Sequence, residues 1–149
     1  MKRFLALACV GIALCIAYFL NFFGPAYTVP LGAPVRHDDF TFTVTAVSRT
    51  SLPGGQLTYT VHVAVANQAK RVPYHWNDRI AYVREGRGPR YYAVTRQDVT
   101  IAAGDIANLT LKFVVPESVT HPALRYWDGV FMGDAFNGAA YAKAAVRLY

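Results

Sequence analysis

The sequence predicts an all-β sandwich domain that follows one N-terminal transmembrane helix. Residues 4–23 carry no charged side chain, whereas several later segments alternate apolar and polar residues with a period of two. Beyond the apolar run, apolar residues do not recur at helical spacing over a convincing length. Short strands separated by turn residues are typical of a sandwich, although a closed barrel gives the same alternation.

Residues 1–23 are predicted to form a transmembrane signal anchor. As a helix, the uncharged run 4–23 would be roughly 30 Å long, which matches the hydrocarbon core of a bilayer. Gly24 and Pro25 would end that helix. A cleaved signal peptide is the main alternative, but its apolar region usually has only about 7–15 residues, and small residues are poorly placed here for cleavage. We therefore favour an uncleaved anchor.

The charges that flank the run predict its orientation. Lys2 and Arg3 precede it, and the next basic residue is Arg36, so the positive-inside rule places the following domain outside the cytoplasm. We expect a single-pass protein of the bacterial inner (cytoplasmic) membrane with a periplasmic or extracellular C-terminal domain. The chain's 2 cysteines, Cys9 and Cys15, both lie in the run, so the exported part has no thiol chemistry. Lipid modification of either cysteine is a weaker alternative.

The composition of residues 24–149 argues against several classes of function. This part contains 13 Lys and Arg against 9 Asp and Glu, a net charge of +4, which is too small to indicate a nucleic-acid-binding protein. No catalytic motif, phosphate loop or ligand spacing typical of a metal site is present in the sequence. We therefore expect no enzyme activity, no cofactor and no metal. A hydrolase assembled from scattered residues such as Ser48, His62 and Asp98 is an alternative without a motif behind it.

Residues 24–38 are predicted to be a Pro/Gly linker, because they contain 3 prolines and 2 glycines and no hydrophobic period. Residues 39–149 are predicted to form the sandwich domain. Its first strand would point Phe40, Phe42, Val44 and Ala46 towards the core, and the Pro-Gly-Gly turn at 53–55 would lead into an antiparallel partner. Further strands are expected in RIAYVR, RYYAV, IANLTLKFVVP and AKAAVRLY.

Two strand ends carry the features of a known family. Val63, Val65 and Asn67 fit a V-x-V-x-N strand end, and Phe113, Val115 and Pro116 fit a strand that ends in Phe-x-Val-Pro. With these motifs, residues 39–116 resemble the telokin-like immunoglobulin-fold domains of unknown function that occur in bacterial exported and membrane-attached proteins. The chain departs from the family pattern at Arg84-Glu85 and at Ala103. The resemblance implies an immunoglobulin-like β-sandwich and brings no catalytic residues.

A hairpin at residues 83–96 is the first candidate site. It is rich in arginine and tyrosine, and its candidate anion-binding residues are Arg84, Arg87, Arg90, Tyr91 and Arg96. Guanidinium groups beside aromatic rings are suited to phosphates or anionic sugars. The alternative is an ordinary hairpin with solvated arginines at its tip.

The segment RYWDGVFMGDAFNG, residues 125–138, is the second candidate site. Its candidate partner-binding residues are Trp127, Asp128, Phe131, Met132 and Phe136. Apolar side chains in an exposed loop often mark a contact with another protein. The alternative is that the aromatic residues fold back and close one end of the sandwich.

Together these features predict a non-catalytic, membrane-anchored protein that acts by binding. We expect an accessory subunit or interaction module of a membrane protein complex, because Ala6, Gly11 and Ala13 would let the anchor pack against other helices. The alternative is a free-standing periplasmic module that binds an anionic lipid, a glycan or another polyanion through the basic hairpin.

Overall fold

The computed structural model describes residues 9–17, 26–127 and 143–149. Residues 9–17 are helical. Across these three ranges, we find no helix whose length and apolar character would allow it to cross a membrane. The predicted span 4–23 extends beyond both ends of this helix into residues that are not described, so the transmembrane anchor stays a prediction.

Within the described ranges the chain forms eleven strands, which build a β-sandwich. They are β1 (Tyr27–Val29), β2 (Pro34–His37), β3 (Phe40–Leu52), β4 (Gln56–Asn67), β5 (Tyr74–Trp76), β6 (Ala81–Arg84), β7 (Tyr91–Tyr92), β8 (Val99–Ile101), β9 (Ile106–Pro116), β10 (Ala123–Tyr126) and β11 (Ala144–Arg147). One sheet has the order β2-β3-β4-β9 and the other has the order β1-β11-β10-β6-β7. Strands β5 and β8 form a separate pair. The β-sandwich prediction is confirmed.

The four-stranded sheet is built around the long β3–β4 hairpin. Gly54 and Gly55 in its turn have φ angles of 81° and 69°, which residues with a Cβ rarely adopt. Along β4, Leu57, Tyr59 and the following odd-numbered residues are buried, as the period of two predicts. Strand β9 pairs antiparallel with β4 over most of its length.

A β-bulge at Thr45 changes the phase of β3. Val44 pairs with Val63, but Ala46 pairs with His62, so Thr45 is an extra residue in the ladder. Beyond the bulge Ala46 is exposed, and Val47 packs against the core instead. The predicted inward position of Ala46 is therefore wrong, because one inserted residue moves every later side chain to the other face.

Two strands lie in the segment that was predicted to be a linker. Strand β1 pairs parallel with β11, and β2 pairs antiparallel with the start of β3. Val29 and Val35 are both buried in the core. The linker prediction is wrong for these residues, because each strand is only three or four residues long and too short to show a hydrophobic period. The chain therefore contributes an edge strand to both sheets before residue 39.

Large aromatic side chains fill the space between the two sheets. Phe42 of β3 is fully buried, and its ring centroid lies 5.0 Å from that of Tyr126 and 5.9 Å from that of Trp76. Tyr59 and Phe113 are also fully buried. These residues come from strands far apart in the sequence, so the core fixes how β5 and β10 lie relative to β3.

Candidate anion-binding face

The outer face of the five-stranded sheet carries most of the candidate site. In β6, β10 and β11, Val83, Leu124 and Val146 point into the core and are at most 1% exposed. Because side chains alternate along a strand, their neighbours point outwards. We call this outward set the basic face; it consists of Tyr82, Arg84, Arg90, Tyr92, Ala123, Arg125 and Arg147.

Two tyrosines form the aromatic part of the basic face. Tyr82 pairs with Tyr92 across β6 and β7, and their ring centroids are 6.0 Å apart. The guanidinium carbon of Arg90 lies 4.6 Å from the centroid of the Tyr82 ring, which is a cation–π contact. Tyr82 is only 3% exposed although its side chain points outwards. A hydrogen bond with the Tyr92 side chain is the main cause of a raised pKa for Arg90. Arg90 thus lies over the Tyr82 ring and contacts the Tyr92 side chain.

Arg84 and Arg125 lie beside the tyrosines and are half-buried. Their Nε atoms are buried and have no hydrogen-bond partner among the described residues. Burial is the main cause of a lowered pKa for the Arg125 guanidinium, and the charges of Arg84 and Arg90 lower it further. Arg125 is therefore partly desolvated and lies within the field of two like charges, the half-buried Arg84 and the exposed Arg90.

Among residues 9–17, 26–127 and 143–149, no carboxylate forms an ion pair with an arginine of this face. In the described part of the chain the ion pairs join His75 to Asp98 and His121 to Glu85, at 3.1 and 3.2 Å. Neither pair includes an arginine of the basic face. Since an arginine is charged at any physiological pH, the net charge of the face remains positive.

Glu85, which follows Arg84, holds the β6–β7 hairpin against the segment before β10. Its Oε1 accepts hydrogen bonds from the His121 backbone N–H at 2.8 Å and from the Thr120 hydroxyl at 3.1 Å. The bond from the His121 N–H is the main cause of a lowered pKa for this carboxyl. The Glu85 carboxylate is thereby held by Thr120 and His121.

Protonation of Glu85 should release this contact. Because the folded-state pKa is lowered, the contact stabilises the fold above the ordinary glutamate range and is lost as the pH falls through the folded pKa. We expect exchange of the His121 amide hydrogen to rise relative to that of the buried Leu124 amide between pH 6 and about pH 3. Glu85→Gln should remove most of this pH dependence. If the ratio of His121 to Leu124 amide exchange rates changes with pH equally in wild type and Glu85→Gln, Glu85 does not hold the hairpin in this way.

The structure separates the predicted anion-binding residues. Arg84 and Arg90 lie on the basic face, and Arg87 is exposed at the tip of the hairpin. Tyr91 lies on the opposite face of β7 and packs against the core, so it cannot share the site. Arg96 is exposed and lies beyond the end of β7. Here the chain runs beside β9, because the backbone N–H of Val94 donates a hydrogen bond to the Lys112 carbonyl at 2.7 Å.

Sequence reasoning missed Arg125 and Arg147, which the sheet brings next to the hairpin. A local signal was present, because Arg125 stands between apolar Leu124 and Tyr126, and Arg147 between Val146 and Leu148. An arginine between two buried residues of a strand points to the outer face. The pairing of β6 with β10, however, is a long-range contact that the local pattern does not indicate.

The structure describes residues 125–127 of the second predicted site, which include one of its five candidate partner-binding residues. Trp127 is half-buried, and its backbone N–H donates to the Ile80 carbonyl at 2.7 Å. Asp128, Phe131, Met132 and Phe136 lie outside the described residues. Their role in partner binding stays a prediction.

Over residues 9–17, 26–127 and 143–149, no group of three or more His, Cys, Asp or Glu side chains is arranged to hold a metal ion.

Comparisons with known proteins support the fold but not a family. No protein-family model matches the chain, and no curated protein matches it. The fold is similar to the crystal structure of an uncharacterized β-sandwich protein from Clostridium difficile 630, with a TM-score of 0.55 and 12% sequence identity. The match covers 83% of this chain and 95% of that one. At this identity the similarity shows a shared β-sandwich and nothing about function.

Proposed function

We propose that this protein is a non-catalytic binding module that holds an anionic ligand on the basic face of its five-stranded sheet. One observation carries the proposal: Arg84, Arg90 and Arg125 lie together on a sheet surface without a carboxylate partner among the described residues. The rest of the fold supplies a rigid support, because the opposite side of the same strands is fully buried.

The cost of this arrangement favours a ligand over a purely structural role. Grouping like charges at half-buried positions destabilises the folded chain, and the unpartnered Nε atoms of Arg84 and Arg125 add to that cost. An anion that accepts hydrogen bonds from these guanidinium groups would offset both the repulsion between the charges and the cost of the unpartnered Nε atoms. Tyr82 and Tyr92 would orient the arginines and offer ring surface to the ligand.

As part of this proposal the sandwich is immunoglobulin-like, which the strand order supports, whereas the telokin-like type stays a prediction from the two strand-end motifs. Strands β3, β4 and β9 correspond in order to strands A, B and E of an immunoglobulin domain, and β11, β10, β6 and β7 correspond to G, F, C and C′. The basic face is then the outer surface of the G-F-C-C′ sheet.

An N-terminal anchor would keep this face near an anionic membrane surface. The uncharged run 4–23 and its flanking Lys2 and Arg3 support a single-pass inner-membrane protein with the sandwich in the periplasm or outside the cell. The role of accessory subunit in a membrane protein complex depends on residues 1–8 and 128–136, which lie outside the described residues, and stays a prediction.

Removal of the charges on the basic face tests the proposal. We expect the triple variant Arg84→Gln, Arg90→Gln, Arg125→Gln to bind inorganic polyphosphate at least about tenfold more weakly, since hydrogen bonds to charged groups contribute roughly 1.5–3 kcal/mol each. The measurement is fluorescence anisotropy of labelled polyphosphate with the full-length protein in non-ionic detergent, over a series of salt concentrations.

A matched control carries the same change of net charge elsewhere. Arg36, Arg49 and Arg71 are exposed and lie outside the five-stranded sheet. Their replacement by glutamine should lower the affinity only about twofold, through the general electrostatic field of the protein. Equal losses in the two triple variants would show that net charge alone drives binding, and would overturn the proposal.

A further inference from the structure

Ala123 lies at the centre of a ring of arginines on the basic face. It pairs directly with Arg84 on one neighbouring strand and with Arg147 on the other. Arg125 follows it two residues later and points to the same side. Neighbouring side chains begin about 5 Å apart across strands and about 7 Å apart along one strand, so all three guanidinium groups can reach the space above Ala123.

Ala123 itself contributes only a methyl group to that space. Ala123 is only half-buried, although its strand neighbours Leu124 and Tyr126 have no exposed surface. A longer side chain at this position would project between the arginines and occupy the space. We call the space above Ala123, between Arg84, Arg125 and Arg147, the alanine notch.

Arg147, the third arginine of the notch, lies near the ring of Tyr149. The guanidinium carbon of Arg147 lies 5.9 Å from the centroid of the Tyr149 ring, and that ring contacts His121 edge-on at 5.1 Å. Arg147 is exposed, unlike the half-buried Arg84 and Arg125. The notch is therefore open to solvent on the β11 side and partly desolvated on the β6 side.

From this geometry we infer that the alanine notch binds a phosphate group. The inference rests on the proposed function and specifies the chemistry of the anion. A carboxylate is planar and is satisfied by one guanidinium fork, whereas a phosphate group presents several oxygens in different directions and carries more negative charge. Three arginines whose positions in the sheet flank Ala123 on three sides suit the second geometry. The phosphate group can come from a lipid headgroup or from a soluble phosphorylated molecule.

The first experiment follows the arginine side chains directly. We expect inorganic phosphate to shift the Nε–H resonances of Arg84, Arg125 and Arg147 in the NMR spectrum of the full-length protein in non-ionic detergent. Acetate at the same ionic strength should shift them at least about tenfold less at equal concentration. Equal shifts with both anions, or shifts confined to other arginines, would overturn the inference.

Filling the notch without removing a charge gives an independent test. Ala123→Leu should abolish saturable phosphate binding, because the added side chain occupies the space between the arginines, whereas Ala123→Ser should retain it. A thermal melt checks that both variants are folded, and Arg147→Gln provides a second variant that should weaken phosphate binding if Ala123→Leu does not fold. Retained binding in folded Ala123→Leu, or in Arg147→Gln, would overturn the inference. The proposed function is tested separately by the triple variant Arg84→Gln, Arg90→Gln, Arg125→Gln. If that variant loses polyphosphate binding while folded Ala123→Leu retains phosphate binding, the basic face binds anions outside the notch and the proposed function stands.

Nanodiscs identify the source of the phosphate. With the protein reconstituted in phosphatidylglycerol nanodiscs, a lipid ligand should shift the three Nε–H resonances without added phosphate, relative to Ala123→Leu. A soluble ligand would leave them unchanged until inorganic phosphate is added. A shift in nanodiscs alone indicates a lipid headgroup, and a shift only after phosphate is added indicates a soluble ligand; both support phosphate binding in the notch. No shift either before or after phosphate is added would contradict it.

Discussion

Asn67→Asp is expected to lower the free energy of unfolding by about 3–5 kcal/mol, because it places an uncompensated charge in the interior. Asn67 is 1% exposed. Its Nδ2 donates hydrogen bonds to the Val72 carbonyl at 2.8 Å and to the Ile101 carbonyl at 3.0 Å, and its Oδ1 accepts one from the Ala69 N–H at 3.0 Å. Aspartate keeps the acceptor but turns the donor into an oxygen that faces two carbonyl oxygens.

The free energy can be measured by urea unfolding of the full-length protein in non-ionic detergent. Asn77→Asp is the matched control, since the Oδ1 atom of Asn77 accepts a hydrogen bond from the Arg79 N–H and that acceptor survives the change. The control should cost less than about 1 kcal/mol. Similar losses in the two variants would contradict the role of Asn67 as the link between β4, the following loop and β8.

Phe42→Ala is expected to cost about 3–5 kcal/mol, because it opens a cavity at the centre of the aromatic core. The Phe42 ring lies within 6 Å, between centroids, of the rings of Tyr74, Trp76 and Tyr126, which come from β5 and β10. Removing it therefore weakens the contact of the four-stranded sheet with both of these elements.

Phe40→Ala is the control for Phe42→Ala, on the same strand. Phe40 is half-buried, and its ring contacts Tyr74 at 4.2 Å. Its loss should cost roughly half as much, since less apolar area returns to water and no enclosed cavity forms. If urea unfolding shows equal costs, the core is not centred on Phe42 as the structure indicates.

Long strands with a clear period could be predicted from the sequence. The segment IANLTLKFVVP forms β9 with the predicted bounds, and Leu109, Leu111 and Phe113 point into the core. The last strand, with Val146 buried, is also where the pattern placed it. In β9 each of these three buried residues has a polar neighbour that sets the phase.

Other features depend on contacts that a local pattern does not contain. The bulge at Thr45 arises from pairing with β4, and the strands before residue 39 are too short to show a period. The same limit applies to the site: the hairpin indicated Arg84 and Arg90, but Arg125 joins them only because β10 pairs with β6. The sequence therefore indicated two of the four arginines of the basic face.

The most direct test of the account is to map where a polyanion binds. Inorganic tripolyphosphate would be titrated into 15N-labelled full-length protein in non-ionic detergent, and backbone amide shifts would be recorded at physiological ionic strength. We expect the largest changes in β6 and β10, at Tyr82, Arg84 and Arg125, with little change at Arg36 or Arg49 on the other sheet. Changes spread evenly over all exposed arginines, or concentrated on the four-stranded sheet, would contradict the proposal that the basic face is the binding site.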